Sequence, residues 1–303
     1  MKKVVVIISS YNGEKNIVRQ LDSIFGQEDV LTSVYIRDDR STDNTINVLN
    51  QYMLEHPTYN IVIEQGDNLG YAKSFWTALK NCQDADYYAF SDQDDVWMPD
   101  KLIKCINAME KDDEDVPKLS YCKMIRSDEN LMPLLEQVKL IPYEKITKKI
   151  ALTKTYNYGA ATLINVQARS LICRIWPSVY DLPHDLWAGL LCFWFGKVYF
   201  VDEDLYYWIR YSTSVTGEGT LKTGIIYRIK RTLDGKSYVN IASYLLEYYG
   251  DLLTPIEKRF LERIENYKKR LSDRMYLIFD PNFCRDSFWG TIALKIGILF
   301  GWY

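Results

Sequence analysis

Residues 3–13 read KVVVIISSYNG, an uninterrupted apolar run that stops at a polar turn. A short apolar run bounded by turn-forming residues is typical of a strand that is buried inside a parallel sheet. The run lies where a signal peptide would lie, but no small-residue cleavage site follows it. We therefore predict that it forms the first buried strand.

The same pattern repeats along the first hundred residues, where apolar runs alternate with segments of helical periodicity. The predicted strands cover 3–9, 33–38, 60–64 and 86–90, and the predicted helices cover 14–26, 43–54 and 71–80. Such alternation indicates an α/β fold, in which helices cover both faces of a parallel sheet. Ligands of these sheets bind at the carboxyl ends of the strands.

The rest of the chain is mixed in pattern and then helical. Strand-like runs occupy 119–125, 158–165, 197–201 and 205–209, and helices are predicted near 167–174 and from Pro183. From residue 220 onwards the pattern is helical and rich in Tyr, Lys and Arg. We expect one domain at 1–217 and a C-terminal helical region at 218–303.

The composition excludes several classes of protein. A formal charge of -3 gives no global positive field for nucleic acid. The six cysteines are scattered without a CxxC pair, which argues against a zinc site and a disulfide framework and fits a cytosolic chain. No stretch reaches the roughly 20 apolar residues that a membrane-spanning helix needs. We expect a cytoplasmic protein that does not bind nucleic acid.

An acidic cluster, SDQDD at 91–95, follows the fourth predicted strand. Carboxylates two residues apart at a strand end point to the same side, so Asp92 and Asp94 can share Mg²⁺ or Mn²⁺. Such a cation would bridge the diphosphate of a nucleotide donor and neutralise the departing charge. The alternative is a solvated acidic turn that caps the helix starting near Pro99.

A second polar cluster, DDRSTD at 38–43, ends the second predicted strand. Ser41 or Thr42 can cap the helix that follows. Asp39 can accept the imide N–H of a uracil or thymine ring. The turn at 9–13 adds backbone donors and the ring of Tyr11, which can stack on a base.

Five segments occur in the order seen in family 2 glycosyltransferases, and as a set the chain resembles that family. They are ISSYNGE (8–14), DDRSTDNT (38–45), NLG (68–70), SDQDDVW (91–97) and HDLW (184–187). The resemblance is strongest to bacterial rhamnosyltransferases of surface polysaccharide synthesis, in which the SDQDDVW form is common.

This resemblance implies a GT-A fold, which is a mixed, mainly parallel sheet flanked by helices, here with a C-terminal helical extension. It also implies inversion at the anomeric carbon and a metal-assisted donor complex. Ser9, Tyr11 and Asp39 would hold the nucleobase, with Asn12 in the same turn, and Asn68 would lie near the ribose.

The second half of the implied site lies further along the chain. Asp92 and Asp94 would serve the ribose and the metal-bound diphosphate, and Asp185 would be the general base. Pro183 places Asp185 in the first helical turn, where the helix dipole favours an ionised carboxylate. An ordinary acidic residue at a helix start is the alternative. His184 would contact the donor phosphate or cap the same turn.

One position departs from the family pattern. The family often has a histidine six residues before a glycine after the last strands, where it binds metal or phosphate. Counting back from Gly217, this position holds Tyr211, preceded by Arg210. Tyrosine is a poor ligand for Mg²⁺, whereas Arg210 can hold the diphosphate directly. We expect a metal dependence that is weaker than the family norm.

The C-terminal region carries a different signal. Basic and aromatic residues are mixed in 222–236, and the segment 288–303 is apolar with Lys295 inside it. Basic amphipathic helices suit an anionic membrane surface, where a lipid-linked acceptor would be met. Helices that pack against the core or against a second copy in a homodimer are the alternative.

The sequence thus predicts an inverting glycosyltransferase of bacterial polysaccharide synthesis, at work in the cytoplasm or at the inner face of the membrane. Its donor would be dTDP-rhamnose or a UDP-hexose, and its acceptor a hydroxyl of a glycan or of a lipid-linked sugar. A sugar-phosphate nucleotidyltransferase would need a Gly-rich, Arg-containing loop after the first strand, and the turn at 9–12 lacks one. A non-catalytic binder of nucleotide sugars is suggested by Tyr211 and opposed by Asp185.

Overall fold

The protein folds into two compact units. The computed structural model describes residues 1–138, 140, 145–153, 156–176, 182–210 and 239–302. The first unit consists of Met1–Leu140, Thr155–Trp176 and Asp181–Tyr211, and the second of Ile141–Lys154, Pro177–Tyr180 and Ser212–Tyr303. The expected division into domains at 1–217 and 218–303 stays a prediction.

A mixed sheet of eight strands forms the centre of the first unit. In chain order the strands are β1 (Lys2–Ser10), β2 (Val30–Asp38), β3 (Asn60–Gln65), β4 (Tyr87–Ser91), β5 (Val96–Trp97), β6 (Lys118–Ser127), β7 (Thr162–Asn165) and β8 (Lys197–Ile209). They lie side by side in the order β3-β2-β1-β4-β7-β6-β8-β5. The pairs β1–β2, β2–β3, β1–β4 and β6–β8 are parallel, whereas β4–β7, β6–β7 and β5–β8 are antiparallel. The expected mixed, mainly parallel sheet is confirmed.

The described helices follow the strands along the chain. They are α1 (Ile17–Phe25), α2 (Thr45–Glu55), α3 (Tyr71–Asn81), α4 (Lys101–Met109), α5 (Lys148–Ala151), α6 (Val166–Cys173), α7 (His184–Phe195), α8 (Val239–Tyr248), α9 (Pro255–Asn266), α10 (Leu271–Phe279) and α11 (Phe288–Phe300). Helix α5 and helices α8 to α11 belong to the second unit.

Strand β1 explains why the sequence begins with a continuous apolar run. It pairs with β2 on one side and β4 on the other, and residues 4–8 are each at most 1% exposed. A strand covered on both faces has no polar face to alternate with. Ser10 lies opposite Asp38 on β2, and Ile8 lies opposite Ser91 on β4. The turns that follow these three strands therefore meet at one edge of the sheet.

The second unit is helical in its described parts. Helix α9 starts at a capping box, in which the Glu257 N–H donates to the Thr254 hydroxyl and the Thr254 N–H donates to the Glu257 carboxylate. Within the same unit, Lys149 of α5 pairs with Asp280 at 2.5 Å. Among the described residues, none of the helices is long and apolar enough to cross a membrane.

Candidate active site

The turns after β1 and β2 are joined by hydrogen bonds from side chains. The Asn12 N–H donates to Ser41 Oγ at 2.9 Å, and the Thr42 N–H donates to Asn12 Oδ1 at 2.8 Å. The Gly13 N–H donates to Thr45 Oγ1 at 2.8 Å. Asn12 has φ of 51°, a left-handed conformation that asparagine tolerates better than most residues. The two turns therefore form one structural piece, which we call the paired turns (9–14 and 38–45).

Neither Ser41 nor Thr42 caps α2, so that prediction was wrong. The Ser41 hydroxyl donates to Asp38 Oδ2 at 2.5 Å, and Thr42 is engaged by the preceding turn. The helix starts at Thr45, whose N–H and hydroxyl both donate to Asp43, at 3.0 and 2.5 Å. The two hydroxyl residues hold the paired turns together instead.

The turn after β4 is tied to the paired turns by Gln93. Its Oε1 accepts the Tyr11 N–H at 2.9 Å, and its Nε2 donates to the Tyr11 carbonyl at 3.0 Å. A Cβ at Gly13 would lie 2.5 Å from Gln93 Oε1, so any other residue there would displace the Gln93 side chain from these hydrogen bonds. Tyr11 itself is 47% exposed, so its side chain is accessible to a ligand.

Asp39 lies buried at the floor of the same edge. Its carboxylate accepts hydrogen bonds from Arg37 at 2.5 Å and from the N–H groups of Leu69 and Gly70, both at 2.8 Å. These bonds hold the turn after β3 against the end of β2. A carboxylate has about four lone-pair positions, so one is left for the imide of a base. The role of Asp39 in base recognition stays a prediction.

Ser9 and Asn68 flank this floor. Ser9 is half-buried near the end of β1, opposite Arg37 on β2. Asn68 is exposed, and its Oδ1 accepts the Gly70 N–H at 3.3 Å. The residues expected around the base and ribose thus all lie at one edge of the sheet, and their contacts with a donor stay predictions.

Carboxylates crowd together after β4. Burial, and then the negative charges of Asp94 and Asp185, raise the pKa of Asp92 to about 7. Burial also raises the pKa of Asp94, while the positive charges of Arg210 and Arg19 oppose that rise. The ionised acids therefore repel one another, and a positive charge between them would stabilise them.

Asp95 supports this turn from behind. It is 1% exposed, its Oδ1 accepts the Ile209 N–H at 3.3 Å, and its Oδ2 has no hydrogen-bond partner among the described residues. Burial, together with the charges of the other two acids, raises the pKa of Asp95 well above its usual range. None of the three acids is the N-cap of α4, which is Asp100. The alternative of a helix-capping turn therefore does not describe this cluster.

Asp185 lies in the first turn of α7, with Pro183 as the N-cap, as the sequence predicted. Its carboxylate accepts the Leu186 N–H at 2.7 Å and the Gly159 N–H. Burial raises the pKa of Asp185 to about 6, and these backbone donors oppose the rise. Because its charge also raises the pKa of Asp92, the two carboxylates lie within electrostatic reach of each other.

His184, which we expected at the donor phosphate or as a cap of the same turn, lies among aromatic side chains. Its ring is 6% exposed, stacks on Phe75 at a centroid distance of 4.0 Å and meets Phe90 edge-on at 4.8 Å. In the part of the chain that the structure describes, neither ring nitrogen has a hydrogen-bond partner, and burial lowers the pKa of His184 to about 3. The ring is therefore neutral, with one N–H that can donate, and its contact with the donor phosphate stays a prediction.

Arg210 begins a row of side chains that leads towards Asp185. Its guanidinium lies 4.7 Å from the centroid of the Trp208 ring, which lies 5.8 Å from that of Tyr158. Burial and the charge of Asp185 raise the pKa of Tyr158. Trp208 and Tyr158 are half-buried. The row of Arg210, Trp208 and Tyr158 is thus within electrostatic reach of Asp94 at one end and of Asp185 at the other.

Several residues of the site carry no strong signal in the sequence. Arg19 resembles an ordinary helix charge, Gln93 resembles a spacer between acids, and Trp208 resembles one more aromatic residue of a strand. Three further aromatic residues of the same unit are buried and belong to the core: Tyr156, Trp176 and Trp187.

The acids fit a metal ion that is shared with a donor. Within the described ranges, no three His, Cys, Asp or Glu side chains converge to hold a metal by themselves. Mg²⁺ commonly binds through one or two carboxylates together with substrate phosphates, and Asp92 and Asp94 offer such a pair. Tyr211, on which the expectation of weaker metal dependence rests, lies outside the described residues.

Comparison with known proteins gives a family and several relatives that match over part of their length. Residues 5–170 match the family described as glycosyl transferase family 2. The dTDP-rhamnosyl transferase RfbG of Shigella flexneri is 39% identical over 105 residues, which are 34% of this chain and 36% of that protein. The chondroitin synthase of Escherichia coli is 32% identical over 109 residues, 36% of this chain and 16% of that protein. The chain thus spans only 36% and 16% of the lengths of these two relatives.

Solved structures share the fold. Residues 1–349 of TarS from S. aureus, in complex with UDP-GlcNAc, superpose with a TM-score of 0.61 at 17% identity, over 99% of this chain and 80% of that one. The mannosyltransferase PcManGT of Pyrobaculum calidifontis, in complex with GDP-Man and Mn²⁺, gives a TM-score of 0.55 at 14% identity, over 100% of this chain and 81% of that one. At these identities the likeness concerns the fold alone, and it confirms the expected GT-A architecture.

Proposed function

The chain belongs to glycosyl transferase family 2, and we propose that it transfers a sugar from a nucleotide-sugar donor to a hydroxyl of an acceptor. One observation carries this proposal. An exposed aromatic ring and a repelling acidic pair lie at the same edge of one sheet, and a separate half-buried carboxylate lies within electrostatic reach of that pair. A nucleotide-sugar transferase needs these three parts: a base site, a diphosphate site and a proton acceptor.

The donor half uses the paired turns. The base stacks on Tyr11, and the remaining acceptor position of Asp39 takes the imide N–H of uracil or thymine. Asn12 shapes the turn that carries Tyr11, and Ser9 and Asn68 line the edge towards the ribose. The two hydrogen bonds between Gln93 and the Tyr11 backbone support this arrangement, because they fix that backbone before the donor binds.

The diphosphate half uses the acids and their basic neighbours. Asp92 and Asp94 would hold Mg²⁺ or Mn²⁺ together with the donor diphosphate. Such an ion, when bound, neutralises the charge that develops as the nucleoside diphosphate leaves. Arg210 and Arg19, whose charges act on Asp94, supply further positive potential at the same place.

The acceptor half centres on Asp185. We propose that its carboxylate takes the proton of the acceptor hydroxyl as that oxygen bonds to the anomeric carbon. The bond from the anomeric carbon to the diphosphate oxygen breaks on the opposite face, so the configuration inverts. Backbone donors on the Asp185 carboxylate keep it oriented, and its elevated pKa makes it a stronger base than an ordinary aspartate.

The sugar is proposed from the relatives and the base site. The likeness to a dTDP-rhamnosyl transferase favours L-rhamnose from dTDP-rhamnose, and a hexose from a UDP-sugar is the second choice. The acceptor we propose is a hydroxyl of a glycan or of a lipid-linked sugar in bacterial polysaccharide synthesis.

A thermal-shift screen across dTDP-, UDP- and GDP-sugars tests donor binding, because a ligand of the folded state raises the unfolding midpoint. We expect dTDP-rhamnose or a UDP-hexose to stand apart from the others. Slow release of the nucleoside diphosphate, with water as acceptor, then tests turnover. If no nucleotide sugar shifts the midpoint, the proposal fails. Formation of pyrophosphate from a nucleoside triphosphate and a sugar 1-phosphate would favour a nucleotidyltransferase instead.

A further inference from the structure

Helix α11 is apolar on both of its sides. The side that packs into the second unit carries Leu294, Gly297 and Ile298. The opposite, exposed side carries one helical stripe at spacings of four, three and four residues: Trp289, Ala293, Ile296 and Phe300. A helix that is hydrophobic all round is normally covered by another apolar phase. The exposed stripe, which we call the α11 face, therefore needs an explanation.

Aromatic pairs mark both ends of the α11 face. Phe288 and Trp289 are 72% and 76% exposed at its start. At its end, Phe300 stacks on Trp302 at a centroid distance of 4.9 Å, and both remain exposed. Aromatic rings, and tryptophan above all, favour the boundary between an apolar phase and water.

The α11 face carries no charge. Lys295 is the one charged residue in 288–302. Its ammonium donates to the carbonyl oxygens of Leu277 at 2.6 Å and Asp280 at 2.8 Å, at the end of α10. The lysine is thus turned inward, which leaves the outer side of the helix uncharged.

A basic loop lies beside the end of this face. Lys268, Lys269 and Arg270 are exposed between α9 and α10. Arg274 joins this loop to α11, because its guanidinium donates to the carbonyl oxygens of Lys268 at 3.2 Å and Leu299 at 3.5 Å. Positive side chains therefore border an uncharged aromatic helix.

We propose that the α11 face docks on an anionic lipid surface, with the loop 268–270 among the headgroups. The helix has 13 residues and is about 20 Å long, too short to span a bilayer, so it would lie along the surface. A symmetric dimer through the same face would bring two copies of the basic loop near one interface, whereas anionic headgroups complement them. The charge pattern thus favours lipid over a second copy.

Vesicle flotation of the full chain tests this proposal without donor or acceptor, so its outcome is independent of the proposed transfer. We expect the chain to float with vesicles of phosphatidylcholine and phosphatidylglycerol, and to float weakly with phosphatidylcholine alone. The triple variant Trp289→Ser, Phe300→Ser, Trp302→Ser should lose binding to both. The triple variant Lys268→Gln, Lys269→Gln, Arg270→Gln should lose roughly tenfold or more of the partition to anionic vesicles, as high salt would.

The matched control is the double variant Leu54→Ser, Ile256→Ser, which removes two residues that are 76% and 81% exposed elsewhere. It should float as the wild type does. Unfolding midpoints of every variant, measured without donor, establish that each one folds. Absence of the wild type from the anionic vesicle fraction overturns the proposal. So does a wild-type dimer in light scattering that the α11 variant converts to a monomer, because the face is then covered by a second copy.

Discussion

Two opposing effects set the pKa of Asp185. Burial raises its pKa to about 6, while the N–H groups of Leu186 and Gly159 stabilise its ionised form. A base has to be ionised when the acceptor arrives, and it has to be basic enough to take a proton. A carboxylate with a pKa near 6 satisfies both conditions at neutral pH.

The rate of transfer should therefore depend on pH through Asp185. Because the ionised form is the active one, we expect the rate to fall as the pH drops through about 6. Asp185→Asn should reduce turnover by roughly 10²- to 10⁴-fold, since a positioned base contributes about that much, and should keep the donor-induced thermal shift. The measurements are a pH profile of turnover and a donor titration.

The control for this prediction is Asp113→Asn, which removes an exposed acid of the same unit. It should change neither turnover nor binding. Undiminished transfer by the Asp185→Asn variant would remove Asp185 from the mechanism.

Gly159 positions Asp185 from the side. Its N–H donates to the carboxylate, and a Cβ at this residue would lie 2.5 Å from Nε2 of the buried His184. Gly159→Ala should push the backbone away and weaken that hydrogen bond. We expect turnover to fall about 10- to 100-fold, as a displaced catalytic group does, with the pH profile of turnover shifted upwards.

Removing the His184 ring tests whether the steric contact with a Cβ at residue 159 causes this loss of turnover. The double variant Gly159→Ala, His184→Ala should recover part of the lost turnover and return the pH profile towards that of the wild type, because the added methyl group then has space. If the double variant is worse than the sum of the single ones, the steric explanation is wrong.

At the scale of elements, the site depends on turns that hold one another. Gln93 supplies the Tyr11 backbone with the two hydrogen bonds that a neighbouring strand would supply. The turn that carries Tyr11 is thus fixed by a side chain from the acidic turn.

Gln93→Ala should therefore weaken donor binding. Two hydrogen bonds to the Tyr11 backbone are lost, and we expect about a tenfold rise in Kd for the nucleotide, measured by calorimetric titration. Gln51→Ala, which removes an exposed helical glutamine bonded to Glu55, is the matched control. Equal nucleotide affinities of the two variants would show that the hydrogen bonds from Gln93 do not contribute to donor binding.

The sequence predicted most elements because their signals are local. The apolar runs at 3–9 and 60–64 lie within β1 and β3, and the run at 86–90 overlaps β4, since each run is short and bounded by turns. The two runs at 197–201 and 205–209 belong to one strand, β8, because the exposed residues 202–204 between them keep an extended backbone. The sequence did not predict β5, because a strand of two residues is too short to show an alternating pattern.

The site was predicted less completely. Asp92, Asp94, Asp39 and Asp185 follow strands or start a helix, and such positions can be identified along the chain. The neutral state of His184 and the action of Arg19 on Asp94 depend on packing between distant segments. No local pattern encodes that packing.

At the scale of the whole molecule, the raised pKa of Asp92 makes the stability of the folded state depend on pH. The pKa of Asp92 is about 7 in the folded protein, against about 3.9 for an ordinary aspartate. The folded state therefore binds this proton more tightly than the unfolded state does. The resulting stabilisation is present in full below about pH 4 and is lost as the pH rises through about 7.

Asp92→Asn should raise the unfolding midpoint at pH 8 without metal, by about 2–4 °C, because the buried charge is gone. Mn²⁺ should raise the midpoint of the wild type and have a smaller effect on Asp92→Asn and Asp94→Asn. Scanning calorimetry measures both effects, with Asp113→Asn as the control. A midpoint of the wild type that Mn²⁺ leaves unchanged, in the presence of a nucleoside diphosphate, would argue against a shared metal site.

The paired turns have a consequence for exchanging donor specificity between relatives. Residues 9–14 and 38–45 are joined through Asn12, Gly13, Ser41 and Thr45, so neither turn is complete alone. A chimaera that grafts only one of them would leave backbone amides of the other without acceptors. The two segments should be transplanted together, as one discontinuous cassette, with the residue at position 93 taken from the same parent.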